Sequence, residues 1–263
     1  MVKNDNGSGV DAGTDVTWSF SDEAGAGVPW GPHELPLSLE LEGVSIKVDG
    51  AKGRYAYRRE GAGDSIGKQI LAENSKIKLS PAEPLNKPSP VCANLLIELS
   101  SPAVIQPKSA QTLYLAFPVE IAVLLEHGRS EDYLLDIFSL VKAKYTLYGG
   151  VKEGMVCRHW ASEVYTEIPN LNPLEQGVLK LTVSNLGNRW AELNKAVFSA
   201  YGMKLFYGPG IVSLTAEIKI INETFAETSF KEGPLQDGMA RGTELYSAKP
   251  LSQQGKIVME EGY

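Results

Sequence analysis

The chain has 263 residues, 43% of them hydrophobic, and a formal net charge of −7 from 25 Lys+Arg against 32 Asp+Glu. That apolar content is too high for a disordered polymer, and no 18-residue window is free of charge, so no membrane span is expected. The acidic balance disfavours nonspecific binding to nucleic acid and to anionic membranes.

Residues 1–32 are rich in Gly, Asp, Asn and Ala and have no sustained hydrophobic period, which predicts a flexible N-terminal tail. Trp18, Phe20 and Trp30 interrupt it and are candidate interface residues, because aromatics in a polar tail pin it to a body or a partner. Met1-Val2-Lys3 is followed by polar residues instead of an apolar core, so no secretory leader is expected. The expected compartment is the cytoplasm, where two cysteines, Cys92 and Cys157, form no disulfide framework.

From residue 35 the texture is that of strands. Leu37-Ser-Leu-Glu-Leu41 and Val44-Ser-Ile-Lys-Val48 alternate, with Gly43 between them and Asp49-Gly50 as the next turn signal. Arg54-Tyr-Ala-Tyr-Arg58 and Lys76-Ile-Lys-Leu79 follow, then prolines at 81, 84, 88 and 90. Strands are expected over 94–99 and 111–117, with a break at Ser101-Pro102, and over 119–126. Residues 133–141, 143–148, 155–160, 178–183, 203–207 and 211–221 continue the pattern. Residues 189–200 fit a short helix or an irregular strand. About a dozen strands with turns every 8–15 residues predict an all-β protein of two antiparallel β-sandwich or barrel-like domains with little helix. The first domain is expected over 33–119 and the second over 120–232, with 233–263 a trailing segment draped over the body.

Five motifs recur in one order: Arg54-Tyr-Ala-Tyr-Arg58, Leu79-Ser-Pro-Ala-Glu-Pro84, Val104-Ile-Gln-Pro-Lys-Ser109, Leu113-Tyr-Leu-Ala-Phe-Pro-Val-Glu-Ile121 and Lys204-Leu-Phe-Tyr-Gly-Pro-Gly210. This order resembles the archaeal family known as domain of unknown function 432, over about residues 33–230. The resemblance implies an archaeal source. It carries over no activity and no site residue, since its motifs are prolines, turn glycines and core apolars.

Candidate chemistry is sparse. Cys157 and His159 share a strand face and are candidate metal ligands, but a tetrahedral site needs three or four donors, which Cys92 or His127 would have to help supply. There is no phosphate-binding loop with its Lys-Ser/Thr. Glu40 and Glu42 stand at strand-face spacing, as a hydrolytic carboxylate pair would, and equally as charges guarding a strand edge. The strongest electrostatic feature is a basic stretch. Lys47, Lys52, Arg54, Arg58 and Arg59 outnumber Asp49 and Glu60, with Tyr55 and Tyr57 interleaved. Arg54, Arg58, Arg59, Tyr55 and Tyr57 are the candidate site for an anionic ligand or an acidic protein partner; the net charge argues against nucleic acid.

These readings predict a non-enzymatic cytoplasmic binding or assembly module, homo-oligomeric through exposed sheet edges, and no cofactor is expected. The alternative is a small-molecule or carbohydrate binder, in one version a hydrolase, with its pocket between the two β-domains.

Overall fold

The computed structural model describes residues 18–19, 29–85, 92–126, 128, 131–245, 257–260 and 262–263. Among them the chain is all-β, with twenty strands and one 3-10 turn. In chain order the first strands are β1 (Trp18–Ser19), β2 (Gly31–His33), β3 (Leu37–Leu41), β4 (Val44–Ala51), β5 (Arg54–Gly61), β6 (Asp64–Leu71) and β7 (Lys76–Ala82). The long β8 (Asn94–Ile105) and β9 (Ser109–Pro118) follow, then β10 (Glu120–Glu126), β11 (Tyr133–Phe138), β12 (Lys144–Tyr148) and β13 (Met155–Ser162). The chain continues through β14 (Gln176–Asn185), β15 (Ala191–Ser199) and the 3-10 turn at Ala200–Gly202. It closes with β16 (Phe206–Gly208), β17 (Ile211–Ile220), β18 (Ala226–Lys231), β19 (Ala240–Arg241) and β20 (Ile257–Met259).

The strands fall into two compact units. The first comprises Leu35–Glu73 with the segment that carries β1, and it is one five-stranded sheet in the order β1-β3-β4-β5-β6. Its three hairpins turn on X-Gly pairs in which both residues have positive φ: Glu42 at 47° and Gly43 at 83°, Lys52 at 54° and Gly53 at 73°, Ala62 at 55° and Gly63 at 89°. Such turns match the right-handed twist of the flanking strands. The turn expected at Asp49-Gly50 therefore comes later, at Lys52-Gly53, and β4 runs on to Ala51. Alternation puts Leu39, Leu41, Val44, Ile46, Val48, Tyr57 and Ile70 on a buried face. The opposite face carries Glu40, Lys47, Arg54 and Arg58, all exposed.

The second unit spans Asn74–Tyr263 with Ala24–Glu34. One of its sheets runs β11-β10-β7-β2, another β12-β13-β8-β15, and the largest β19-β16-β17-β14-β9, with β18 on β17 and β20 on β18. The last two sheets share a single core. Leu95, Ile97, Val197 and Phe198 on one side meet Leu115, Leu179, Leu181, Leu214 and Ile218 on the other. The alternation of β14 and β17 is clean because both are half-buried: Leu179, Leu181 and Val183 point inward between Lys180, Thr182 and Ser184. Position 119–120, the expected domain boundary, lies within this unit. There the chain leaves β9, paired to β14, and enters β10, paired to β7, so that point is a change of sheet.

Three further differences from the sequence reading have local causes. The sheets are mixed, not purely antiparallel: β14 runs parallel to β17 and β13 parallel to β8. Ser101-Pro102 does not break β8. The β8–β15 register shifts between Leu193 and Lys195, and the proline sits within that irregularity, where its missing N–H removes no ladder bond. Pro81 is likewise inside β7; it faces Ile121 on one side, while β2 covers only Ile77–Leu79 on the other. Residues 191–199 are strand, and the helical alternative is discarded.

The trailing segment is tied into the second unit. Gly242 N donates to Leu205 O, Thr243 N to the Ser80 hydroxyl and Leu245 N to the buried Glu83 carboxylate. No helix among the described residues is long and apolar enough to cross a membrane.

Candidate functional site

Strand direction in the largest sheet decides where the loops gather. Because β14 and β17 are parallel and in register to their last residues, the turn after each leaves from the same end. Strand β9 is antiparallel to β14 and begins opposite its end, Ser109 facing Asn185, so the β8–β9 turn lies there too. Strand β20 is antiparallel to β18, with Met259 facing Ala226, which returns the C-terminal residues to that end. Loops presented together at one end of a sandwich are a common way to build a binding surface on a rigid scaffold.

The result is a cleft of about 620 Å³. One wall is the turn from Asn185 to Ala191, and the other runs from Ile220 to Thr224. Tyr263 completes the lining. Asn185 shapes the first wall from inside. It is 1% exposed, its amide donates to Ile105 O at 3.1 Å and Arg189 O at 2.8 Å, and its carbonyl oxygen accepts from Gly187 N at 2.9 Å. Lys108 Nζ donates to Leu186 O at 2.6 Å, and Leu186 N donates to Ile220 O at 2.8 Å, so the turn is fastened on both flanks. In the second wall Asn222 caps its own turn, its side-chain oxygen accepting from Thr224 N and Phe225 N. The Tyr263 hydroxyl donates to Asn222 O at 2.9 Å; burial, then the charge of Glu223, pushes its phenol above the ordinary value.

The chemistry presented is mixed. Trp190 is 66% exposed, and the neighbouring Leu186 and Ile221 are also exposed. Arg189 and Glu223 form an ion pair from one wall to the other, so the two charges cancel. Among the described residues, one lining side chain is a carboxylate, Glu223, where acid–base hydrolysis of a glycoside uses two.

A second polar constellation is internal. Arg158 on β13 is 1% exposed, and its Nη1 donates to Oε1 of the equally buried Glu120 at 2.8 Å. The pair ties β13 to the first residue of β10, in a different sheet. Cys92 lies beside it, and burial pushes its thiol upward. Burial pushes the Cys157 thiol up to about 12.

The sequence candidates are distributed as follows. In β5, Arg54 and Arg58 are exposed on the open face of the first unit, whereas Tyr57 and Arg59 are buried and Tyr55 half-buried. Arg59 is held by Gly61 O and by Asp64 at 2.6 Å. Arg54 and Arg58 are thus on one face of the sheet and Tyr55, Tyr57 and Arg59 on the other, as alternation requires. Cys157 is fully buried with its Sγ on Met155 O, and His159 hydrogen-bonds Glu98 at 2.8 Å. No group of three or more metal-ligating side chains occurs among the described residues, and His127 lies outside them. Trp30 packs against the core of the second unit, its ring 6.3 Å from that of Tyr207. Trp18 pairs through its backbone with Leu39, and Phe20 lies outside the described residues. Glu42 occupies a turn at φ 47°, so Glu40 and Glu42 do not share a strand face.

The model of a protein family described as protein of unknown function (DUF432) matches residues 29–260. The chain belongs to this family. The match takes in both units and the whole strand framework of the cleft, from Gly31 to Met259. Comparison with curated proteins and with solved structures gives no match.

Sequence reasoning missed the cleft. Its signal was Asn185-Leu-Gly187, a turn, followed at once by Arg189-Trp190. An indole adjoining a turn, outside any apolar alternation, is a candidate contact residue. Arg158 and Glu120 gave no signal, because a single charge within a strand looks like any solvent-facing residue.

Proposed function

We propose that this member of the family is a non-catalytic binding module of the cytoplasm that takes its ligand in the cleft between the turns after β14 and β17. The observation that carries this reading is Trp190, 66% exposed in a concave site whose walls are fastened from behind by Asn185 and Lys108. A large aromatic left in water on the wall of a concave site is a candidate contact residue. Among the described lining side chains the one carboxylate, Glu223, is paired with Arg189, which supports binding over hydrolysis. The test is amide hydrogen exchange of the whole protein, alone and with separate mixtures of neutral saccharides, nucleosides and dipeptides. Protection confined to residues 186–190 and 221–225 by any one mixture supports the reading; protection elsewhere, or by none, removes it.

Self-assembly is a second reading, favoured by one hairpin. Tyr145, Leu147, Val151 and Val156 are all exposed on or between β12 and β13, and β12 ends its sheet. Exposed apolar side chains on a terminal strand suit pairing with a second copy. Native mass spectrometry at micromolar protein should then show a dimer that Leu147→Lys dissolves; a monomer throughout rejects it.

A further inference from the structure

We propose that the ligand of this cleft is a neutral carbohydrate, with one sugar ring lying face-on against Trp190. The inference rests on the reading that the cleft is the ligand site, and adds what the site selects. Three features of the lining converge on it.

The first is charge. Arg189 and Glu223 are paired across the cleft, so the lining has no net charge from these groups. An anionic ligand such as a nucleotide would have to draw Arg189 away from Glu223 and then lie beside an unpaired carboxylate, a like-charge contact that opposes binding. A cationic ligand meets the converse obstacle at Arg189. A neutral ligand leaves the pair intact.

The second is the kind of polar group. Arg189, Glu223 and Asn188 all end in planar groups with two hetero-atoms side by side. Such groups make two parallel hydrogen bonds to neighbouring donors and acceptors. Adjacent hydroxyls of a sugar, each both donor and acceptor, present that arrangement. Thr224 adds a hydroxyl of its own on the same wall.

The third is the indole. A sugar ring has one face of C–H bonds and a rim of hydroxyls, so it covers apolar area while keeping its polar edge free. Trp190 offers an exposed ring directly beside Arg189, with Leu186 and Ile221 near it. An extended peptide, by contrast, gains most of its affinity by adding to an open sheet edge, and the walls here are turns.

The experiment is a titration of the full chain, followed by tryptophan fluorescence and by saturation-transfer NMR. The probes are glucose, galactose, mannose and N-acetylglucosamine with their β-linked disaccharides, and the comparison probes are adenosine, uridine and inorganic phosphate. At least one saccharide should bind, and Trp190→Ala should weaken it about ten-fold or more, the scale of a lost stacking contact plus its buried area. Trp190→Tyr should keep most of the affinity. Because Trp190 is largely exposed, the variant should melt within about 2 °C of the parent, as surface substitutions do. If a nucleoside binds through Trp190 and no saccharide does, the carbohydrate assignment fails while the cleft reading stands. If a saccharide binds equally well to Trp190→Ala, or if no probe binds, the assignment fails; saccharide-induced hydrogen-exchange protection away from both turns would sink the cleft reading with it.

Discussion

Asn185 and Ile220 are the last residues of β14 and β17 and face each other across a parallel ladder. In an antiparallel pair these ends would lie at opposite edges of the sheet. Parallel pairing instead sends the chain out of both strands at one end, and the two turns that follow become the walls of one cleft.

Asn185 is expected to be a keystone of that end. Replacing it with Ala removes two donated bonds and one accepted bond at a fully buried site, and leaves Ile105 O, Arg189 O and Gly187 N without that partner. The expected loss is about 2–4 kcal/mol of stability. The denaturation midpoint in urea reads it directly, and a loss under about 0.5 kcal/mol would contradict the role.

The buried pair Arg158–Glu120 makes an asymmetric prediction. Glu120→Leu should destabilise by about 3–5 kcal/mol, because it leaves the guanidinium buried without its counter-charge. The double change Arg158→Met with Glu120→Leu should recover most of that loss. Two of the guanidinium nitrogens, Nε and Nη2, already lack a hydrogen-bond partner, so removing the cation also relieves a desolvation cost. A double-mutant cycle of unfolding free energies settles it, and additivity of the two single changes would mean the pair is not coupled.

Cys157 should give a slope to the alkaline limb of the stability curve. Its thiol is pushed from 9.0 up to about 12 by burial, so between those values the folded chain keeps a proton that the unfolded chain has lost. Stability then falls as pH rises, by up to about 1.4 kcal/mol per pH unit over that window, and the contribution is flat below pH 9. Cys157→Ala should flatten the limb between pH 9 and 11, as measured by denaturation at each pH. For the same reason iodoacetamide at pH 8 should spare Cys157 in native protein and modify it in urea; rapid native labelling would refute the burial argument.

Arg54 and Arg58 test the basic face of the first unit separately from the cleft. Both are exposed, so changing both to Glu should leave stability within about 1 kcal/mol. If this face receives acidic partners, the native chain should bind an oligo-glutamate peptide in low salt and the variant should not. Unchanged binding would discard the face as an acidic-partner site, and saccharide affinity in the cleft should be the same in both.

Much of the framework was legible because half-buried strands write their faces into the sequence. Val178–Val183 and the run after Gly210 alternate and became β14 and β17. Other strands left weaker marks. Strand β6, Asp-Ser-Ile-Gly-Lys-Gln-Ile-Leu, is at a sheet edge with only Ile70 buried, so it has almost no apolar alternation to detect. Strand β8 contains a proline that a bulge absorbs, which no local rule foretells.

Local sequence therefore determined what period-2 alternation and turn chemistry can determine. It set the all-β class, most strand positions and the turn at Gly43, whereas Asp49-Gly50 stayed inside β4. It also determined that Tyr57 and Arg58 would part to opposite faces. Tertiary structure alone decided which strands pair and in which direction. A strand's side-chain pattern specifies which face is buried, but its backbone donors and acceptors are the same toward every neighbour. The parallel match of β14 to β17, which sets Val178 against Ser213 and Asn185 against Ile220, comes from how all the buried faces pack together. That choice put Trp190, Arg189, Glu223 and Tyr263 around one cleft, and closed Arg158 onto Glu120 between sheets.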